Sequence, residues 1–302
     1  MESVVRSSVW GFVACLACTS PVWPGHSEEY SVPNFSGVWA RSTFGWELRS
    51  SGLGPLKNLK RRPSGISDAQ MLVGDYTSPI LKPRAAEIVK QHGEMSQAGM
   101  AYPDPSNQCA TMAPPYILRI NEMEMIQQPH MVTIMYMQDH QFRRIRMNGS
   151  HPKDVVPSWH GDSVGYYEGD TLVVDTVGIK VGPASMVDMY GTPHSEQLHV
   201  VERYRMVDNE IAQASSALND KEYGRADGPA ADGVFVDYGY KGKGIQVQFT
   251  VEDPVMFTTP WSGSVTYLRA ANAWEERVCA ENIFEYYSGK DTGVPHADKP
   301  DF

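Results

Sequence analysis

The sequence lacks several features that define common protein classes. Beyond its N-terminal segment it has no uninterrupted apolar run of about 18 residues, the length that a membrane-spanning helix requires. Positive charge is also sparse, because 26 Lys and Arg stand against 36 Asp and Glu, for a net charge of −10. Phosphate recognition needs clustered Lys and Arg, so we expect neither nucleic acids nor anionic membranes as partners. Alternating strand–helix units and a nucleotide-binding glycine fingerprint are missing too, and we therefore expect no organic cofactor.

Residues 1–25 have the pattern of an export signal. Arg6 precedes a short apolar stretch at residues 9–18, and small and polar residues follow that stretch. The stretch is too short to span a bilayer and is typical of a cleaved signal peptide. We therefore expect a periplasmic or secreted protein, and the sequence leaves open whether Cys18 is lipidated.

Cysteine is scarce, and its distribution fits export. Of the 4 cysteines in the chain, only Cys109 and Cys279 lie beyond the predicted signal peptide. Two thiols in an oxidising compartment predict a disulfide bond between them. A pair of buried free thiols is the alternative.

The remaining chain, residues 26–302, predicts a single β-rich domain. Residues 42–115 form a Pro- and Gly-rich excursion with one predicted helix, at residues 83–92 and ended by Gly93. A second short helix is predicted at residues 274–287. Strands are predicted at residues 35–39, 122–128, 131–137, 142–147, 166–167, 171–176, 198–207, 233–238, 244–252 and 264–268. This close spacing of strands and turns favours an all-β, mainly antiparallel fold, a lipocalin-like β-barrel with one or two peripheral helices.

Reactive side chains are concentrated at residues 159–205. The first candidate site there is residues 161–165, which have the G-x-S-x-G pattern with Ser163 as a possible nucleophile. Aspartates and histidines follow Ser163 in the order found in α/β-hydrolases. The neighbouring sequence lacks the buried strand and the helix that would build an oxyanion hole around such a serine. A tight turn, in which glycine permits positive φ, is the alternative.

The strand at residues 198–207 and the residues just before it carry the second candidate. Because side chains alternate along a strand, His194 and Glu202 are predicted on one face and His199 on the other. Apolar neighbours predict that Glu202 is buried, and burial raises the pKa of a carboxyl unless a cation compensates. The candidate cations are Arg143, Arg144 and Arg146. A histidine beside a buried carboxylate favours general-base chemistry, and a structural Glu–Arg pair inside a barrel is the alternative.

Asp175 is the third candidate, because its valine neighbours predict a largely buried strand. A buried carboxylate needs a partner or a catalytic role. The histidines show none of the spacings typical of metal sites, so we assign no metal ligand. The residues predicted to contact a substrate are Tyr136, Arg144, Trp159, Tyr166 and His199.

Several of these segments resemble one protein family. Residues 167–176 (Tyr-Glu-Gly-Asp-Thr-Leu-Val-Val-Asp-Thr), with residues 193–195 and 198–204, resemble a family of exported bacterial proteins of unknown function. Further matching segments lie at residues 35–39, 250–254, 259–261 and 279–282. The likeness covers most of the chain after the signal peptide. It implies export and a β-rich, barrel-like fold, and it supplies no catalytic residue.

These observations predict an exported enzyme that performs acid–base chemistry on a small aromatic or apolar molecule held in a barrel cavity. The reaction would be of the lyase, hydratase or isomerase type. His194 is the predicted base or acid, and Asp175 or Glu202 is its partner. A non-catalytic, lipocalin-like binding protein is the alternative, and a serine hydrolase using Ser163 is a further one. The sequence does not indicate the substrate or the oligomeric state.

Overall fold

Nine strands pair in sequence order and close into a barrel. A computed structural model of the protein describes residues 32–47, 53–225, 236–273, 278–279, 284–285 and 290–291. The barrel strands are β1 (Gly37–Ala40), β2 (Glu122–Gln128), β3 (Met131–Tyr136), β4 (Phe142–Met147), β5 (Asp162–Glu168), β6 (Thr171–Val177), β7 (His199–Val207), β8 (Gly244–Glu252) and β9 (Trp261–Arg269). The barrel closes where β1 pairs with β9. The predicted all-β barrel is confirmed.

One pair of strands in the barrel is parallel. All other neighbours are antiparallel, as predicted, but β4 and β5 run in the same direction, with Ile145 opposite Ser163 and Met147 opposite Gly165. Parallel neighbours need a crossover connection rather than a tight hairpin. Residues 148–161 make that connection. This crossover brings its own side chains next to strands that lie far from it in sequence.

Inward-facing side chains fill the barrel. Along β8 the buried residues alternate with more exposed ones, as expected for a strand with one face in the core. The inward residues of that strand are Ile245, Val247, Phe249 and Val251. A barrel of about eight strands is just wide enough for side chains to fill its interior. These residues, with those of the other strands, form one large hydrophobic cluster.

The excursion between β1 and β2 adds to the same core. It contains helix α1 (Pro83–Gln97), which starts at Pro83 as predicted and buries Ala85 and Val89. The predicted end at Gly93 is wrong, because Gly93 stays helical and packs closely against Val73. Glycine is unfavourable within a helix by only about 1 kcal/mol, which tertiary packing can outweigh.

Helix α2 (Asn209–Tyr223) was not among the predicted helices. It packs against β8 and β9. Its buried residues are Ala212, Ser216 and Asn219, which are small or polar. The helix therefore has no apolar stripe, the feature by which an amphipathic helix is predicted. Asp208 at its N-cap position was the available indication.

Two predictions near the C-terminus are corrected. Within the predicted helix at residues 274–287, Phe284–Glu285 instead form a short strand, β10, paired with β11 (Lys290–Asp291). Residues 274–277, 280–283 and 286–287 lie outside the described residues. Of the strand predicted at residues 233–238, Val236 makes one isolated bridge with Ala270, and residues 233–235 lie outside the described part.

The predicted cysteine pair is present. Cys109 and Cys279 lie at disulfide-bonding distance, with their Cα atoms 5.5 Å apart. The predicted signal peptide lies outside the described residues. Within the described ranges, neither helix is long and apolar enough to cross a membrane.

Candidate functional site

A salt bridge between Arg143 and Glu202 lies inside the barrel. The two side chains are 1% and 0% exposed, and Arg143 Nη2 lies 2.5 Å from Glu202 Oε2. Arg143 Nη1 donates a second hydrogen bond to Glu202 Oε1 at 3.0 Å, so the pairing is bidentate. Burial is the largest single effect on the pKa of the Arg143 guanidinium and lowers it, but the charge and hydrogen bond of Glu202, with Tyr136 and Tyr204, together raise it more, and the net shift is upward. The Arg143 guanidinium therefore stays charged inside the barrel, with the Glu202 carboxyl group as its bidentate partner.

Neighbouring hydroxyl groups make the remaining hydrogen bonds of Arg143 and Glu202. Arg143 Nε donates to Ser163 Oγ at 3.0 Å, and Arg143 Nη2 donates to Thr176 Oγ1 at 2.6 Å. The Tyr204 hydroxyl donates to Glu202 Oε1 at 2.9 Å. Burying an ion pair without such hydrogen bonds would cost several kcal/mol per charge. The arrangement matches the structural Glu–Arg pair that the sequence offered as the alternative to a catalytic Glu202.

Ser163 is part of this network rather than of a nucleophile elbow. It lies on β5 with its hydroxyl directed at Arg143 and Thr176. Among the described residues no histidine makes a hydrogen bond to it. Gly161 has φ +68°, as the tight-turn interpretation predicted. The geometry gives the serine-hydrolase alternative no support.

Two histidines share one carboxylate on the outer face of the barrel. His199 Nε2 lies 2.8 Å from Asp175 Oδ1, and His151 Nε2 lies 3.3 Å from the same oxygen. The side chains of Asp175, His199 and His151 are 37%, 33% and 25% exposed. Asp175 is thus half-exposed rather than buried. We call these three residues the outer histidine cluster.

Charged residues extend the cluster in both directions. His151 Nδ1 lies 2.7 Å from Asp162 Oδ2, and Arg146 donates to both oxygens of Asp162. Burial is the largest single effect and raises the pKa of Asp162, but the hydrogen bonds and charges of Arg146 and His151 together lower it more, so the net shift is downward. At the other end, His199 Nδ1 lies 3.7 Å from Glu252 Oε2.

His194 lies in a different place, in the connection between β6 and β7. Its Nδ1 lies 3.1 Å from the carbonyl oxygen of Ser195. Its Nε2 is buried and has no hydrogen-bond partner within the described residues. Burial lowers the pKa of this imidazole, which favours the neutral form. The neighbouring Ser195 is held by Asp253, which accepts hydrogen bonds from its amide and its hydroxyl.

The structure does not bring the three predicted catalytic residues together. Glu202 faces the barrel interior, Asp175 faces outward, and His194 lies in a loop with its own contacts. His199 is on the face opposite to Glu202, as predicted, and it is the histidine that meets Asp175. His151 was not selected by any sequence pattern, because it reaches the cluster from the crossover loop.

The predicted substrate-contacting residues are dispersed as well. Tyr136 is fully buried in the barrel, and burial raises its pKa to about 12. Arg144 is exposed and stacks on Phe142 at 5.2 Å. Trp159 stacks with Lys180 at 4.9 Å, and Tyr166 is 41% exposed on the outer face. Of the five, His199 alone belongs to the outer histidine cluster.

A groove of about 360 Å³ lies on the outer face of β7, β8 and β9. Most of the residues that line it are polar, namely Arg203, Gln248, Thr250, Ser262 and Ser264, and Phe249 and Gly263 complete the lining. Within the described part of the chain, no group of three or more His, Cys, Asp or Glu side chains is arranged to hold a metal ion. The chain matches no protein-family model, no curated protein and no solved structure.

Proposed function

We propose that the protein is an enzyme that performs acid–base chemistry on a small molecule at the outer histidine cluster. The observation that carries the proposal is the sharing of Asp175 Oδ1 by His199 and His151, at 2.8 and 3.3 Å, on a half-exposed face. A base oriented by a carboxylate, with its other nitrogen open to a reactant, is the recurring geometry of general-base catalysis.

The hydrogen bonds favour different roles for the two histidines. Both nitrogens of His151 face carboxylates, and ionised carboxylates only accept hydrogen bonds, so the imidazolium form satisfies both contacts. His199 donates from Nε2 to Asp175, and its Nδ1 lies 3.7 Å from Glu252, beyond hydrogen-bonding distance. We therefore assign His199 as general base, Asp175 as its positioning residue and His151 as the cation that stabilises developing negative charge.

The barrel interior is less suited to that role. Arg143 and Glu202 neutralise each other, and Ser163 and Thr176 complete their hydrogen bonds. Removing one partner of such a buried pair leaves the other charge uncompensated and costs about 3–5 kcal/mol of stability. Neither group is therefore free to exchange protons during turnover. Proton transfer of the elimination, hydration or isomerisation type is assigned to the outer face instead.

Export is part of the same proposal. The Cys109–Cys279 pair is compatible with an oxidising compartment. Export also follows from the family resemblance of the segments around residues 167–176 and 193–204, which stays a prediction.

The test incubates a pool of small bacterial metabolites with the purified protein and follows their masses and their chromatographic retention times, because an isomerisation changes only the latter. We expect the wild-type protein to convert at least one compound, and we expect Asp175→Asn to slow that conversion by about a hundredfold. General acid–base groups contribute about 10²–10⁴-fold to rates, and the amide would hold His199 less firmly in its working tautomer. Circular dichroism and thermal unfolding show whether the variant stays folded.

Asp170→Asn is the matched control. It makes the same carboxylate-to-amide change on the β5–β6 hairpin, where the exposed Asp170 accepts a hydrogen bond from the neighbouring Thr171 hydroxyl. It should keep wild-type turnover. A wild-type protein that leaves every mass and every chromatographic retention time unchanged would contradict the proposal and favour the lipocalin-like binding protein, with which the barrel is compatible. Equal turnover by Asp175→Asn would place the chemistry elsewhere.

A further inference from the structure

The outer-face groove lies directly beside the outer histidine cluster. Thr250 lines the groove, and two residues further along β8 is Glu252, the neighbour of His199. Residues two apart on a strand share a face and lie about 7 Å apart. Val201, between His199 and Arg203 on β7, pairs with Thr250 and with Asp175. The groove and the cluster are therefore parts of one continuous surface.

The lining of the groove offers donors and acceptors in close alternation. Thr250 Oγ1 and Ser262 Oγ lie 3.0 Å apart across β8 and β9. Gln248 adds an amide, which both donates and accepts. Ser264 Oγ donates to Glu47 at 2.6 Å, so a carboxylate stands at that side of the groove. Such a surface matches a ligand whose own groups both donate and accept.

The charges of the groove are balanced. Arg203, 43% exposed, is paired with Glu168. Glu47 stands at the opposite side, and the chain as a whole carries a net charge of −10. An anionic ligand would meet the carboxylates of Glu47 and Glu168 beside the guanidinium of Arg203, which Glu168 already pairs. A neutral ligand meets no such repulsion.

We infer that this groove binds a neutral carbohydrate. Each sugar hydroxyl donates and accepts, as the lining requires, and a volume of about 360 Å³ lies at the lower end of the range of small-ligand sites. Tyr166, 41% exposed, lies in the same cross-strand row as Arg203, two strands away. Calling this carbohydrate the substrate rests on the proposed function, whereas its binding does not.

Equilibrium dialysis against a panel of neutral sugars tests the inference. The probes are glucose, galactose, N-acetylglucosamine and their common disaccharides at millimolar concentration, with glucuronate as the anionic counterpart. We expect at least one neutral sugar to bind, and we expect glucuronate to bind less tightly than glucose. Thr250→Val, which removes one hydroxyl and keeps the shape of the side chain, should weaken binding by about fivefold to tenfold.

Thr171→Val is the matched control, because Thr171 is an outward residue of β6 that does not line the groove. It should leave binding unchanged. Absence of binding for every neutral sugar, equal loss in both variants, or tighter binding of glucuronate would overturn the inference. The wild-type protein separates the two proposals, since its sugar binding and its turnover are measured independently. If the wild type binds a sugar but converts no compound, the proposed catalysis alone is rejected. If the wild type converts a compound other than a sugar and binds no sugar, this inference alone is rejected.

Discussion

At the scale of single residues, the pleat of the strands decides which charged groups face each other. Arg143 shares a face with the buried Ile145, whereas Arg144 and Arg146 point outward. This alternation is readable from the sequence, and it identifies Arg143 as the partner of Glu202. Asp175 shows the limit of the same reasoning. Its outward neighbour Val173 is also buried, so apolar neighbours do not reveal which face of β6 the carboxylate occupies.

His160 supplies a prediction about acid stability. Its Nδ1 is buried without a hydrogen-bond partner among the described residues, and burial, with a smaller effect of Arg143, lowers its pKa to about 4. Below about pH 6.5 the unfolded chain takes up a proton that the folded protein refuses until about pH 4. The free energy of unfolding should therefore decrease as the pH is lowered through that window, by roughly 2 kcal/mol between pH 7 and pH 4.5.

Urea unfolding at pH 7 and pH 4.5 measures this effect. His160→Gln should lose less stability on acidification than the wild type, because glutamine takes up no proton in either state. His130→Gln, at an exposed hairpin position, should behave as the wild type does. Identical acid sensitivity of His160→Gln and the wild type would contradict the assignment.

At the scale of the elements, turns and the crossover position the side chains of the outer face. The hairpin between β5 and β6 turns at Gly169, and Gly161 allows the chain to enter β5. The crossover at residues 148–161 carries His151 to Asp162 and Asp175. Hairpins are predictable from short patterns of turn residues. The parallel pairing that follows the crossover has no comparable local pattern, so the position of His151 was not predictable.

Gly161 and Gly169, both at positive φ, give an element-scale prediction. A Cβ at Gly161 would lie 2.6 Å from the carbonyl oxygen of Val177, whereas a Cβ at Gly169 would have no atom within 4 Å. Gly169→Ala should cost only the backbone strain of the left-handed region, about 1–2 kcal/mol. Gly161→Ala should cost roughly 1–3 kcal/mol more, because the overlap adds to that strain. Chemical denaturation of both variants checks the order, and equal losses would show that the turn relaxes.

At the scale of the whole molecule, the barrel is closed by its own strands and tied to the C-terminal region by a covalent bond. The Cys109–Cys279 pair links residues 170 positions apart in sequence. It joins the excursion between β1 and β2 to the chain after β9. Because a longer closed loop restricts the unfolded chain more, this bond has a large entropic effect, about 5 kcal/mol as an upper figure.

Replacing both cysteines, Cys109→Ser with Cys279→Ser, should lower the free energy of unfolding by about 2–5 kcal/mol. Reduction of the wild-type protein should have a similar effect, and a reductant should leave the double variant unchanged. Denaturation with and without reductant makes the comparison. A wild-type protein whose stability is indifferent to reductant would mean that the two thiols are free.

The sequence by itself determined the class of the fold, most of its strands, the burial of Glu202 and the cysteine pair. These properties depend on local periodicity, turn residues and composition, which act over a few residues. Helix α2 was not predicted from the sequence, because it buries small and polar residues rather than an apolar stripe. Only the tertiary structure decided that Asp175 faces outward and meets His199 and His151, and that a polar groove adjoins them. The physical reason is that barrel closure and the parallel crossover bring these side chains together. No local sequence pattern indicates such a contact.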